Sequence, residues 1–256
     1  MQDDAGFDPK YACPRTGSRL RLEHDTLLAE SGGAIFPVRT GIPQFLRFES
    51  AEDAAAHAQL ERLNQLARAD GWSKALHAVY GEHAPIVSYV SDATRGSFVN
   101  LLPLTKQSDV LEIGPGLGQF TAHLARRARS VYGLEVVAGQ TEFAAERCRQ
   151  EGVTNVHLAT GGDDCRLPYA DETFELVVVN LVLEWCGMRC LDEELVDVQR
   201  RFLSEIVRVL KPGGAFYLAT KNRFALRHLI GVNGVAFPQE PGGDEICGRR
   251  ASASRV

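Results

Sequence analysis

The clearest chemistry in this chain lies in eleven residues, Val110-Leu111-Glu112-Ile113-Gly114-Pro115-Gly116-Leu117-Gly118-Gln119-Phe120. An apolar run with an acid inside it enters a glycine loop, and a helical pattern follows. Glycine accepts positive φ and lets bare backbone approach a ligand, so a strand–loop–helix unit of this kind holds a nucleotide-like group. Spacing narrows the choice. A dinucleotide loop wants Gly-x-Gly-x-x-Gly, which would put its third glycine at position 119, but Gln119 stands there and the third glycine is Gly118. Glu135 closes the next apolar run. A carboxylate there can accept both hydroxyls of a ribose, because it is acceptor-only and has two oxygens. Dehydrogenases place an acid similarly, so Glu135 alone does not choose between ligands.

The elements that must position these residues follow from periodicity. Strands are expected at Asp109–Ile113, Val131–Glu135, Asn155–Ala159, Phe174–Asn180 and Ala215–Thr220. Helices are expected between them, over Gln119–Arg129 and Ala138–Glu151, and along the apolar face of Leu195, Val198, Phe202, Leu203, Ile206, Val209 and Leu210. Lys211-Pro212-Gly213-Gly214 stops the last helix. Alternation of this kind gives an α/β fold with a doubly wound, mostly parallel sheet, whose ligands sit beyond the carboxyl ends of the strands. The near-continuous apolar run Phe174–Asn180 suits a strand buried on both faces. Upstream, Ala54–Ala67 and Val87–Leu102 read as helices, with Gly71 as a breaker. His77, His83, Tyr89 and Arg95 on that stretch are candidates to face an acceptor pocket.

Composition excludes several classes. The chain has 256 residues, 45% hydrophobic and 24% charged, with a net charge of -5, as expected of a globular protein. The acidic balance argues against a nucleic-acid footprint. No apolar run approaches the roughly 20 residues that span a bilayer, and the acidic start lacks a signal-peptide core. The six scattered cysteines read as reduced thiols of a cytoplasmic protein. The organisation expected is a small β module over 1–50, a helical cap over 51–104, a ligand-binding domain over 105–235 and a polar tail over 236–256.

Three further runs identify a family. Gly162-Asp163-Asp164-Cys165-Arg166-Leu167-Pro168-Tyr169-Ala170-Asp171-Glu172-Thr173-Phe174 couples a Leu-Pro turn to an acid-x-x-Phe strand entry. Asn180-Leu181-Val182-Leu183-Glu184-Trp185 and Arg208-Val209-Leu210-Lys211-Pro212-Gly213-Gly214 follow it. With Gly-x-Gly-x-Gly behind an acid, these resemble the class I S-adenosylmethionine-dependent methyltransferases of the small-molecule type over residues 85–230. The resemblance implies a Rossmann-like fold and S-adenosylmethionine as cofactor. Its contacts fall on Glu112, Gly114, Pro115, Gly116, Gly118 and Glu135, on Asp163 for the adenine amino group with Asp164 as second candidate, and on Asn180 and Leu181. It places Glu184 and Asn222 on the acceptor side, although Lys221 departs from the acid the subgroup carries there. No histidine stands at a motif position, so no catalytic base is named.

Two departures are visible. The two last strands of the family's sheet have no convincing counterpart after Thr220. Residues 11–48, with Cys13-Pro14 at one end and Gly41-Ile42-Pro43 at the other, resemble the small zinc-ribbon-like domain related to the activator subunit of tRNA methyltransferases. Thr16 stands where a second zinc cysteine would fall, so a metal-free version is expected. The activity implied is methyl transfer to a small-molecule or glycan-type acceptor. RNA methylation and a non-catalytic, cofactor-binding homologue remain as alternatives, and the oligomeric state is open.

Overall fold

The computed structural model describes residues 7–48, 54–187, 190 and 192–220. Short hairpins come first: β1 (Leu20–Glu23), β2 (Thr26–Ala29), β3 (Ile35–Arg39) and β4 (Ile42–Pro43) pair in chain order into one antiparallel sheet. A helical layer follows, with α1 (Ala54–Asp70), α2 (Trp72–Tyr80), α3 (Pro85–Ser91) and a 3-10 segment over Ala93–Leu101. Gly71 separates α1 from α2 at φ 99, a left-handed value that glycine takes without a Cβ penalty. The single helix expected over 87–102 is two elements. Asp92 takes an extended conformation between them, and its carboxylate accepts the N–H and hydroxyl of Thr94 at 2.9 and 2.6 Å. That local bond competes with continuing the helix.

From residue 109 onward, strands and helices alternate as expected. Its elements are β5 (Asp109–Ile113), α4 (Thr121–Ala125), β6 (Ser130–Glu135), α5 (Ala138–Gln150), β7 (Val156–Thr160), β8 (Phe174–Asn180), α6 (Leu195–Val209) and β9 (Leu210–Ala219). The five strands are parallel in the order β7-β6-β5-β8-β9. Strand order reverses at β5, so the crevice that such sheets use for ligands opens after Ile113. α4 is shorter than its sequence pattern, because Arg129 and Ser130 bond to Asp109 and draw the chain into β6. Lys211–Gly214 does not simply end α6. It bulges from β9, whose register jumps between Phe174↔Leu210 and Leu176↔Ala215.

Side chains alternate across the sheet. Val110, Val131, Leu176 and Val178 face α4 and the 3-10 segment. Leu111, Ile113, Val177 and Val179 face α6 and the N-terminal sheet. Each fully buried side chain of this size contributes about 1.5–3 kcal/mol.

The N-terminal strands are built into this core. Ala12 N–H donates to Pro168 O, and Ala170 N–H donates to Lys10 O, at 3.1 and 2.9 Å. At the other end, Phe45 N–H reaches Thr160 O at 2.6 Å, alongside the end of β7. Tyr11, Phe36 and Phe45 share one apolar cluster with Tyr132, Tyr169 and Phe174. The connection from β7 to β8 holds no helix, and the N-terminal sheet covers the face a crossover helix would cover.

Among the described residues, no group of three or more His, Cys, Asp or Glu is placed to hold a metal ion. No helix there is long and apolar enough to cross a membrane. Asn222, Lys221 and everything expected beyond Thr220 lie outside the described residues.

Candidate functional site

The glycine loop leaves β5 at the centre of the sheet. Gly114, Gly116 and Gly118 all have positive φ, at 73, 53 and 73. Gly114 is sterically obligatory as well: a Cβ there would lie 2.3 Å from Val182 Cγ2. The loop is pinned below by Gly118 N–H donating to Pro115 O at 2.9 Å and by Gly118 resting on Ala144 of α5.

Glu135 ends β6 next to this loop and is 6% exposed. Its Oε2 accepts the N–H of Gly116 at 3.0 Å. Its Oε1 accepts those of Val136 and Val137 at 2.8 and 3.1 Å. The carboxylate therefore fixes both the loop and the turn into α5. Glu112, inside β5, is 3% exposed and accepts the Thr121 hydroxyl at 2.7 Å. Burial pushes its carboxyl up to about 7; the Thr121 bond and Arg147 work against the shift, and the Glu135 charge adds to it.

The third strand end departs from expectation. Asp163 accepts the N–H of Arg47 on both oxygens, at 3.0 and 3.1 Å, and the N–H of Phe48 on Oδ2 at 2.8 Å. The acid read as an adenine acceptor is bonded to the end of the N-terminal module. Asp164, 8% exposed, accepts the N–H of Arg166 at 3.1 Å and lies 3.7 Å from the Arg47 guanidinium. Burial raises its carboxyl despite these partners.

Beyond β8, Leu181 adopts φ 59 and donates its N–H to Ala219 O at 2.7 Å. That kink turns Val182 onto Gly114 and brings Glu184 to Thr220, whose hydroxyl donates to Glu184 Oε2 at 2.8 Å. Asn180 ends β8 opposite Ala219. Among the described residues, two buried polar atoms here lack a hydrogen-bond partner, Gln119 Nε2 and Glu184 Oε1. Such atoms are rare in folded proteins and are met by a ligand or water.

The structure thus brings the glycine loop, Glu135, Asp163, Asp164, Asn180, Leu181 and Glu184 to the same end of the sheet. The helical candidates have partners of their own: His77 lies 3.1 Å from Glu82, the Arg95 guanidinium lies over the Tyr89 ring at 3.9 Å, and His83 is exposed, while Tyr89 packs against the cluster that includes Leu117 of the glycine loop. Sequence reasoning missed Arg47 and Phe48, whose backbone carries no side-chain signature. It also missed Arg147. This arginine donates to Glu151 Oε1 at 2.8 Å and to the carbonyls of Val90 and Leu117, and it stacks on Trp72 at 4.0 Å. Only its i,i+4 pairing with Glu151 was visible in the sequence.

Comparison with known proteins defines the class. A family model described as methyltransferase domain matches residues 111–218. The bifunctional biotin biosynthesis protein BioHC of Cellvibrio japonicus is 31% identical over 145 residues, covering 55% of this chain and 26% of that protein. A tRNA (guanine-N(7)-)-methyltransferase of Thermus thermophilus is 37% identical over 125 residues, covering 46% of this chain and 40% of that protein. A solved SAM-dependent methyltransferase of Aquifex aeolicus aligns at TM-score 0.40 and 20% identity, covering 55% of this chain and 68% of that one. The chain spans well under two thirds of the length of these two curated relatives. Residues 111–218 are thus similar to a methyltransferase domain, and the sheet that they build is Rossmann-like. The match to a methyltransferase domain supports S-adenosylmethionine as its cofactor. The loop fits that group: its backbone is bare at three positive-φ glycines and a carboxylate stands beside it. The zinc-ribbon likeness of the N-terminal strands has no such support.

Proposed function

We propose that this chain transfers a methyl group from S-adenosylmethionine to a small-molecule or glycan-type acceptor. The observation that carries the reading is the Gly116–Glu135 hydrogen bond at the switch point of the sheet. It joins the two elements that a nucleoside with a charged tail needs, an open backbone loop and a ribose-accepting acid.

When bound, S-adenosylmethionine supplies a sulfonium methyl carbon open to in-line attack. The residues of this chain bind and orient. Gly114, Pro115, Gly116 and Gly118 present backbone to the cofactor, and Glu112 holds the loop to α4 through Thr121. Glu135 already takes the N–H groups of Gly116, Val136 and Val137, so a ribose hydroxyl uses the lone pair that they leave. Asp163 already takes the N–H groups of Arg47, shared between both oxygens, and Phe48, so an adenine amino group must use a lone pair that they leave, with Asp164 as the alternative acceptor. Asn180 and Leu181 line the methyl-transfer point. Glu184, with one oxygen held by Thr220 and the other without a partner among the described residues, faces the acceptor side; the family resemblance assigns the same role to Asn222, which lies outside the described residues. Alignment of acceptor and methyl supplies most of the acceleration, and a base is needed only for a weakly acidic hydroxyl.

RNA methylation is the second reading, favoured by the likeness to a tRNA methyltransferase. A non-catalytic cofactor-binding protein is the third. Incubation with methyl-labelled S-adenosylmethionine separates them. Label in small acidic or hydroxylated metabolites supports the first reading. Label in RNA, with a steep salt dependence of binding, replaces it with the second. Cofactor binding with no label in either pool leaves the third.

A further inference from the structure

A polar cavity of about 220 Å³ lies between α4 and the 3-10 segment, with Gly96, Ser97, Asn100, His123 and Arg127 in its lining. That is several times the roughly 30 Å³ that one water occupies in the liquid. The glycine loop enters α4 at its N-terminal end, whereas Arg127 follows the C-terminal end, so the cavity stands apart from the cofactor cleft. Spacing brings the four polar side chains together. Residues three apart eclipse in a 3-10 helix, which puts Ser97 beside Asn100. His123 and Arg127 are four apart on α4 and the turn that continues it, where Arg127 N–H donates to Leu124 O at 3.0 Å. The walls are fixed by the core: Val99 packs with Leu124, Ala125 and Ala128, and Phe98 stacks on Tyr217 with ring centroids 4.7 Å apart.

Gly96 serves the imidazole. Its φ lies outside the left-handed region, so the backbone itself does not demand glycine. A Cβ there would lie 2.7 Å from His123 Cδ2 and 2.9 Å from His123 Nε2. The missing side chain is what lets the ring rest against the 3-10 segment.

The lining is a set of donors without an acid. Arg127 Nη1 donates to Asn100 Oδ1 at 2.7 Å, a neutral acceptor, and among the described residues no carboxylate pairs with this guanidinium. Its neighbours are neutralised: Arg126 pairs with Glu151 at 2.8 Å, and Arg129 pairs with Asp109. The Asn100 amide N–H groups, the Ser97 hydroxyl and the His123 ring N–H have no hydrogen-bond acceptor among the described residues. No Asp or Glu lines the cavity. Burial holds His123 below the ordinary imidazole range, joined by the charges of Arg126 and Arg147 and opposed by Glu151. A neutral imidazole still donates one N–H.

We propose that this cavity binds a phosphate group, carried by a small phosphomonoester or present as the free ion. A guanidinium donates to two phosphate oxygens at once, and Arg127 has no carboxylate to compete for its fork. Asn100, Ser97 and His123 supply donors for the remaining oxygens. The site does not depend on the methyl-transfer reading.

The test follows backbone amide shifts of the full chain by NMR on titration with inorganic phosphate and, separately, with glycerol 3-phosphate. Ionic strength is held constant with sodium chloride. Saturable shifts at Gly96, Ser97, Asn100 and Arg127 are expected, and the tighter of the two ligands identifies the source of the phosphate. Asn100→Asp keeps an acceptor for Arg127 but puts a negative charge into the cavity. Its affinity should fall at least about tenfold while its unfolding midpoint holds. Arg127→Gln should lose affinity to the same degree. Arg126→Gln changes a charge outside the lining and screened by salt, so it should stay within about twofold of the parent protein. Shifts that rise linearly without saturation overturn the proposal, as does an Asn100→Asp protein that binds like the parent. Equal losses in Arg126→Gln and Arg127→Gln overturn it too, because they show a diffuse basic surface in place of a site.

Discussion

Phe48 donates its backbone N–H to Asp163 Oδ2 at 2.8 Å, joining positions 115 residues apart. With the two bonds from Arg47 N–H, this carboxylate holds the end of the N-terminal module against the cofactor side of the sheet. One acid therefore serves two elements, the loop after β7 and the segment that leads into the helical layer.

Replacing Asp163 with Ala should release that segment. Hydrogen bonds to a charged acceptor contribute about 1.5–3 kcal/mol, so a stability loss of that order is expected in denaturant unfolding. The local readout is amide exchange: Arg47 and Phe48 should lose protection in the variant. Retained protection at both amides would show that the Thr160–Phe45 bond alone fixes the segment.

Glu112 gives stability a pH dependence with a definite sign. Its folded value is about 7, against an ordinary 4.5, with burial as the largest cause. The folded state binds the proton more tightly, so this group stabilises below about pH 4.5 and loses that contribution as pH rises through about 7. A difference of this size corresponds to roughly 3 kcal/mol between the two limits. Glu112→Gln should remove the slope between pH 4.5 and 7 while keeping an acceptor for Thr121. Equal slopes in the two proteins would place the charge elsewhere.

Asp109 works in the opposite sense. Burial alone would raise its carboxyl, but hydrogen bonds from Arg129, Ser130 and Lys10 outweigh it and hold the group well below the ordinary range. Its contribution is present above about pH 4 and is lost as pH falls through the lowered folded value. Lys10 Nζ lies 3.0 Å from this carboxylate, which links the start of the N-terminal module to the base of β5. Asp109→Asn should lower the unfolding midpoint at pH 7 and leave the variant less sensitive to acid between pH 4 and 2. A variant with unchanged acid sensitivity would contradict this assignment.

The sheet was legible in the sequence because its strands are apolar runs in a fixed rhythm with glycine and proline between them. Phe174–Asn180 shows this best, since burial on both faces leaves no polar interruption. The glycine loop was legible because positive φ at Gly114, Gly116 and Gly118 demands that residue type. The partner of Asp163 was not, because the donors are backbone N–H groups and any residue could stand at 47 or 48. Nor did periodicity show that residues 10–48 share a core with the sheet. Alternation marks one face of a strand as buried but does not say against what. The break at Asp92 was hidden for a local reason: an Asx bond to Thr94 interrupts the backbone where no glycine or proline marks the stop.

The most direct measurement for the central claim is calorimetric titration of the full chain with S-adenosylmethionine, S-adenosylhomocysteine and NAD, repeated with Glu135→Ala. The account predicts binding of the first two and none of NAD. Losing the ribose acceptor should weaken binding by about 1.5–3 kcal/mol, roughly 10- to 150-fold. A chain that binds NAD and ignores both S-adenosyl compounds would contradict it.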